Sequence, residues 1–132
     1  MTFDELYLRA KAVLNPRKLS ASAEAGGVGA ALLTASGNVY IGVCIDIDCS
    51  IGFCAEHAAA AAMITAGESH VLKMVAVNWD GQILPPCGRC REFINQIHDD
   101  NGQAEVLVRT GVILPLRDLL PYDWRQAIGG TS

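Results

Sequence analysis

The sequence has little charge, no long apolar run and no excess of basic residues. Charged residues make up 18% of its 132 residues, hydrophobic residues make up 51%, and the net charge at pH 7 is −4. No apolar run approaches the roughly 18 residues that a membrane-spanning helix needs, which argues against a membrane partner. The negative charge argues against a nucleic-acid partner, because phosphate binding favours a basic patch.

The sequence also shows no internal repeats, low-complexity tails or linkers. Met1–Ala10 carries no leader pattern, so we expect a cytoplasmic protein. Its five cysteines are an odd number, and in a reducing compartment they suit metal thiolates better than disulfides. The length predicts one domain spanning residues 1–132. The large apolar share indicates buried contacts between subunits.

Hydrophobic periodicity predicts alternating helices and strands. Thr2–Leu14 has the apolar spacing of a helix, and Arg17–Gly27 is predicted as a loop. Val28–Ala35 and Val39–Ile47 are predicted to form a hairpin around Ser36-Gly37-Asn38. The later predicted elements are the helix Ala55–Ala66, the strand Val71–Trp79, the helix Cys87–His98, the strands Ala104–Arg109 and Gly111–Leu114, and the helical turn Leu116–Leu120. This order predicts an α/β layered sandwich with a mixed sheet, because helical crossovers join parallel strands whereas a hairpin is antiparallel.

Small residues at two places indicate close packing. The helix Ala55–Ala66 is rich in alanine, a strong helix former with little bulk, so it can approach a sheet or another helix closely. Gly29 and Gly42 lie inside the predicted hairpin strands. They mark either close backbone approach or weak strand positions.

Two short runs carry the candidate chemistry, Cys54-Ala55-Glu56-His57 and Pro86-Cys87-Gly88-Arg89-Cys90. The Cys-x-x-Cys spacing places two thiolates one helical turn apart, where they can hold one metal ion. Cys54 supplies a third sulfur, and the fourth tetrahedral position is left for water, as in catalytic zinc sites. Glu56 follows a ligand by two residues, so its carboxylate can reach that water without binding the metal. Both runs are predicted at helix starts, where free N–H groups favour thiolates.

These runs resemble the zinc-dependent cytidine deaminase superfamily, whose pattern is a His or Cys ligand, x, Glu, and then Pro-Cys-x-x-Cys. The resemblance covers roughly residues 28–124. It implies a three-layer α/β/α sandwich with a mixed five-stranded sheet, and a homotetramer with sites at subunit borders. It further implies one zinc ion per subunit, held by Cys54, Cys87 and Cys90, with Glu56 as the catalytic proton carrier.

Two residues beside the ligands are candidates for supporting roles. In small all-cysteine deaminases the residue after the catalytic Glu is often an Arg that hydrogen-bonds a ligand sulfur. Here it is His57, which either donates to sulfur or is only a structural helix residue. Arg91 directly follows a ligand and matches the family's usual Cys-Arg, so it is predicted to support the ligands or to contact another subunit.

The candidate substrate contacts depart from the family pattern. Cytidine deaminases usually carry Asn-x-Glu on the second hairpin strand, and the matching place here holds Cys44 and Asp46. Asp46 can accept a hydroxyl hydrogen bond, whereas Cys44 either contacts substrate or is a small buried residue. Ala55 is a further candidate contact. Trp124 either stacks on substrate, in this or a neighbouring subunit, or packs on the core.

The resemblance implies hydrolytic deamination of a small nucleoside-like molecule with release of ammonia. The run Leu84–Arg91 and the run Leu116–Pro121 are similar to those of blasticidin S deaminases. The substrate therefore stays open between cytidine or deoxycytidine, a modified cytosine nucleoside, and another amino-heterocycle. The alternatives are a non-catalytic zinc-stabilised oligomeric scaffold, in which His57 closes the metal site, and a polynucleotide-editing deaminase. The first ligand, Cys54, and the net acidity argue against the latter.

Overall fold

A computed structural model describes residues 1–129 as a mixed sheet flanked by helices. Residues 130–132, the end of the predicted domain, lie outside the described residues. The helices are α1 (Phe3–Ala12), α2 (Ala55–Thr65), α3 (Gly88–Gln96) and α4 (Trp124–Gly129). The strands are β1 (Arg17–Ser20), β2 (Ala23–Thr34), β3 (Val39–Ile47), β4 (Val71–Asn78), β5 (Ile83–Leu84), β6 (Glu105–Arg109) and β7 (Val112–Pro115). Single 3-10 turns occupy Asp48–Ser50, Asn101–Gln103 and Leu116–Leu119.

The sheet has seven strands, two more than predicted. Its order is β1-β2-β4-β6-β7, with β3 paired to β2 and β5 paired to β4. Only the β4–β6 pair is parallel among the pairs of residues 1–129. The prediction that Arg17–Gly27 forms a loop was wrong, because this segment contains β1 and the beginning of β2. Strand β1 is exposed at all four residues, so it is held by backbone pairing and shows no apolar alternation.

Helices cover both faces of the sheet, which confirms the predicted three-layer α/β/α sandwich. On one face, Leu6 and Ala10 of α1 pack with Ala31 and Val75. On the other face, helices α2 and α3 contribute Met63 and Ile94, which pack with Leu32 and Met74. Ala31 and Leu32 are neighbours on β2, and successive strand residues point to opposite faces. Strand β2 therefore contributes to both cores. No helix among residues 1–129 is long and apolar enough to cross a membrane.

Gly42 and Gly29 mark close backbone approach rather than weak strand positions. A Cβ atom at Gly42 would lie 2.5 Å from the backbone N of Ala59 and 2.8 Å from the carbonyl O of Ala55, both in α2. A Cβ atom at Gly29 would lie 2.3 Å from the carbonyl O of Ala10 in α1. Both helices therefore rest directly on glycines of the central hairpin, and Gly42 sets the position of α2.

Replacing Gly42 by Ala is expected to displace α2 from the sheet. Because the added methyl meets backbone atoms that cannot rotate away, we expect a loss of about 2–3 kcal/mol in the free energy of unfolding, measured by urea denaturation. Gly102→Ala is the control, since a Cβ there meets its nearest atom at an ordinary 3.5 Å. Equal stability of the two variants would contradict the close approach of α2 to β3.

Glu68 connects the end of α2 to the β2–β3 hairpin through side-chain hydrogen bonds. Its carboxylate accepts from Asn38 Nδ2 and from Tyr40 Oη, each at 2.7 Å. Hydrogen bonds from Thr34, Asn38 and Tyr40 lower the pKa of Glu68 to about 2. The charged carboxylate therefore adds stability above its ordinary pKa of 4.5, and this contribution is lost as the pH falls from 4.5 to about 2.

We therefore expect Glu68→Gln to be less stable than the parent protein at neutral pH. The difference in free energy of unfolding should shrink as the pH falls through that window, because the parent carboxylate then takes up a proton. Urea denaturation of both proteins at a series of pH values measures this. A stability difference that does not vary with pH would show that the hydrogen bonds of Glu68 do not depend on its charge.

Candidate active site

The three predicted cysteine ligands lie together at the starts of two helices. Cys54 and Cys87 are the N-cap residues of α2 and α3, both with extended backbone, and Cys90 lies in the first turn of α3. The Sγ atoms of Cys54 and Cys87 are 3.3 Å apart, and the sulfurs of all three cysteines lie within 4.8 Å of one another. The first turn of a helix has free backbone N–H groups, so the three cysteines lie at the helix ends that carry partial positive charge.

Burial and mutual repulsion act against full ionisation of these thiols. Burial raises the pKa of Cys54 to about 11, and burial also raises the pKa of Cys90. Burial also raises the pKa of Cys87, but hydrogen bonds from the Cys90 backbone and from the thiols of Cys54 and Cys90 outweigh it and lower the pKa overall. Burial raises the pKa of Glu56, which is only 4% exposed. A bound cation would offset this burial and repulsion and so favour the ionised thiolates.

A metal ion of the zinc type fits this donor set. Sulfur ligands select soft ions, and two thiolates on a tetrahedral zinc lie about 3.8 Å apart for Zn–S bonds of about 2.3 Å. The observed 3.3 Å between Cys54 and Cys87 is close to that spacing. No further His, Cys, Asp or Glu of residues 1–129 joins the cluster, so the protein offers three donors rather than four. Three donors are typical of a catalytic site.

Within residues 1–129, the Nδ1 atom of His57 makes no hydrogen bond to a ligand sulfur. Its ring packs between Phe53, at 4.9 Å between centroids, and Phe93, at 4.7 Å. Its Nδ1 atom is buried without a hydrogen-bond partner among residues 1–129, and burial lowers the pKa of the ring. The ring therefore fills the space between two aromatic side chains within a single chain, and His57 is not part of the donor group formed by the three cysteines of residues 1–129.

Two arginines fix the backbone around the ligands. Arg91 Nε donates to the carbonyl of Pro86 at 2.8 Å, and its Nη1 donates to the carbonyl of Leu119 at 3.2 Å. Arg89 Nη1 donates to the carbonyl of Gly52 at 3.4 Å. Arg91 thus ties the residue before Cys87 to the turn before α4, and Arg89 ties the second ligand run to the segment before Cys54.

A cavity of about 510 Å³ opens beside the cysteine cluster. Its walls include the predicted contacts Cys44, Asp46 and Ala55, together with Glu56. Cys44 Sγ accepts a hydrogen bond from the backbone N–H of Val28 at 3.3 Å and donates to Asp46 Oδ2 at 3.9 Å. Cys44 is therefore held by the protein itself, and the Asp46 carboxylate keeps capacity to accept further bonds.

Trp124 does not line this cavity within one chain. It opens α4 and is 46% exposed. A contact with substrate from a neighbouring subunit stays a prediction. The cavity wall instead includes Trp79, which the sequence analysis had placed only at the end of a strand. A tryptophan directly before the Asp80-Gly81 turn was the available signal.

His70, His98 and Asp100 form a second cluster of possible metal donors. The two imidazole rings stack in parallel, with centroids 4.2 Å apart and 5° between their planes. His98 Nδ1 already accepts the backbone N–H of Asp100 at 3.0 Å. Lone pairs in parallel planes do not converge on one ion, so this cluster is a weaker metal site than the three cysteines.

No family model matches the sequence. Among curated proteins, the chain is 36% identical over 97 residues to cytidine deaminase of Mycobacterium tuberculosis, covering 71% of this chain and 69% of that protein. It is 34% identical over 98 residues to cytidine deaminase of Shewanella pealeana, covering 72% of this chain and 31% of that longer protein. The crystal structure of the Mycobacterium tuberculosis enzyme superposes with a TM-score of 0.78 at 26% identity, covering 94% of this chain and 98% of that chain. By the identity and coverage of its relatives, this chain belongs to the cytidine deaminase family.

Proposed function

We propose that the protein is a hydrolytic deaminase that replaces the exocyclic amino group of a cytosine nucleoside by oxygen and releases ammonia. The observation that carries the proposal is a cluster of three cysteine sulfurs, two of which, Cys54 and Cys87, line one cavity together with the buried carboxyl of Glu56. Cys54, Cys87 and Cys90 would hold one zinc ion per chain. A bound zinc ion supplies Lewis acidity, which lowers the pKa of water toward neutrality.

Glu56 is the proton carrier of the proposed reaction. It takes a proton from the attacking water, passes it to the ring nitrogen, and then moves the second proton to the leaving amine. In the net change, the oxygen of water forms a carbonyl at the ring carbon, and the bond from that carbon to the exocyclic nitrogen breaks to give ammonia. Atoms and protons therefore balance without another reactant. Burial that raises the pKa of Glu56 suits this role, because a carrier must both accept and release a proton near neutral pH.

The helix starts and the arginines balance the charge of the site. Three thiolates and one divalent ion sum to a single negative charge, which opposes Lewis acidity. The N–H groups that begin α2 and α3 offset part of this charge. Arg89 lines the same cavity and adds a positive charge there.

The proposed substrates are cytidine, deoxycytidine or a modified cytosine nucleoside of the blasticidin S type. Their support is the name of the curated relatives, cytidine deaminase, and the placement of Asp46 on the cavity wall as an acceptor for a hydroxyl. Cys44 offers no amide at that wall, so the sugar contacts differ from the Asn-x-Glu pattern. An amino-heterocycle other than cytosine is the second candidate.

We further propose a cytoplasmic homotetramer built from one domain per chain.

An ammonia-release screen of the zinc-loaded protein tests the proposal. The panel holds cytidine, deoxycytidine, cytosine, blasticidin S, adenosine and guanine, and we expect turnover of at least one cytosine nucleoside. Ammonia release from adenosine or guanine alone would show that the substrate is an amino-heterocycle other than cytosine. Failure of every compound, together with no binding of a hydrated-pyrimidine analogue, would favour the non-catalytic scaffold.

A further inference from the structure

Trp79 is an exposed aromatic residue on the wall of the cavity described above. It lines the cavity, and yet 65% of its surface is open to solvent. A residue that does both lies where the cavity meets the solvent. An exposed aromatic side chain at the opening of a cavity offers a flat apolar face that a ligand in the cavity can cover.

The turn that carries Trp79 is held by hydrogen bonds on several sides. Asn78 Oδ1 accepts the backbone N–H groups of Asp80 at 2.9 Å and of Gln82 at 3.0 Å. The hydroxyl of Tyr7, in α1, donates to the carbonyl of Gly81 at 2.7 Å. The turn that follows Trp79 is therefore anchored to the Asn78 side chain and to α1, so the indole extends from a fixed backbone position.

The strand beside Trp79 has no side chain at the point of contact. A Cβ atom at Gly27 would lie 3.7 Å from Cε3 and 4.0 Å from Cζ3 of Trp79. The indole thus approaches the backbone of β2, and a bulky residue at position 27 would push it aside. Phe53 also lines the cavity, but it packs against His57. Trp79 is therefore the cavity aromatic with the most free surface.

We propose that Trp79 is a specificity-determining residue, on whose indole the unsaturated heterocyclic ring of the substrate stacks. The inference rests on the proposed function, since it takes a pyrimidine ring as the occupant of the cavity. Stacking of a base on an aromatic side chain contributes a factor of about 5 to 140 in affinity. It selects flat rings over saturated ones, because only a flat ring offers a π-face.

The test compares Trp79→Ala and Trp79→Phe in the zinc-loaded protein, with Asp80→Asn as a matched control on the same turn. Asp80 is exposed and does not line the cavity. For Trp79→Ala we expect the KM for cytidine to rise at least about fivefold, the lower end of the stacking range, with kcat changed less than about threefold. Trp79→Phe should stay within about threefold of the parent protein, because it keeps a π-face.

Binding separates this inference from the deaminase proposal, because uridine binds without reacting. Equilibrium dissociation constants for uridine and for its saturated ring analogue, 5,6-dihydrouridine, are measured for each variant. Trp79→Ala should weaken uridine binding more than dihydrouridine binding. Equal loss for both ligands, unchanged constants, or a changed oligomeric state at constant affinity would each overturn the stacking role. If no substrate is deaminated, the uridine measurement still decides this inference.

Discussion

Replacing Glu56 by Gln is expected to abolish most ammonia release while leaving the fold and the metal in place. Gln keeps the size and polarity of the side chain but cannot carry a proton, and general acid–base groups contribute about 10²- to 10⁴-fold to rate. Because one carboxyl serves several proton transfers here, we expect a loss of about 10³-fold or more in kcat. Ammonia release, metal content and thermal unfolding are measured on the same preparation.

Glu105→Gln is the matched control for this variant. Glu105 is an exposed residue of β6, so the same chemical change there should leave turnover unaltered. Retained zinc with lost turnover would separate the proton carrier from the metal ligands. Near-normal turnover of Glu56→Gln would remove the proposed mechanism, whatever the substrate.

The second large effect is expected from Cys87→Ala. Removal of one of three sulfur donors leaves two, too few for a stable zinc site, so we expect metal content to fall below detection after dialysis. At free zinc a thousandfold above its dissociation constant, the ion stabilises the folded state by about 4 kcal/mol. The variant should lose about this amount in free energy of unfolding, because metal binding and folding are coupled.

A chelator and a second cysteine variant control this result. Cys49 is an exposed free cysteine outside the cluster, so Cys49→Ser should keep both metal and stability. Chelation should destabilise the parent protein and leave Cys87→Ala unchanged. A parent protein that is as stable without metal as with it would show that the cysteine cluster plays no part in holding α2 against α3.

The candidate ligands were predictable because each lies in a short local pattern. Cys87 and Cys90 are separated by one helical turn, and Cys54 directly precedes an alanine-rich helix, so both runs were placed at helix starts without knowledge of the fold. The helices α1, α2 and α3 were predicted within a few residues of their observed ends. Their periodic apolar residues or strong helix formers dominate their conformation locally.

Two strands escaped prediction for physical reasons. Strand β1 is fully exposed and is held by its backbone hydrogen bonds to β2. Strand β5 has only two residues and pairs with β4 beside the ligand run. Neither buries enough apolar surface to impose an alternating pattern, so the five strands of the resemblance became seven.

The roles of the supporting residues also depended on the tertiary structure. His57 was predicted either to donate to sulfur or to be a structural helix residue, and its ring lies between Phe53 and Phe93. Arg91 was expected near the ligands, and it acts on the backbone carbonyls of Pro86 and Leu119. Sequence spacing shows how far these residues are from the ligands along the chain. The direction in which their side chains extend depends on which elements pack beside them.

The sequence by itself determined the chemistry available to this protein: three cysteines in two helix-starting runs, one acid between them, and the alternation of helices and strands. Only the tertiary structure decided which side chains share one cavity. Pairing of β2 with β4 and the turn after β4 bring Trp79 against Gly27, residues far apart in the chain. Local patterns encode local conformation, but convergence of distant residues follows from strand register and helix packing, which depend on the whole folded chain.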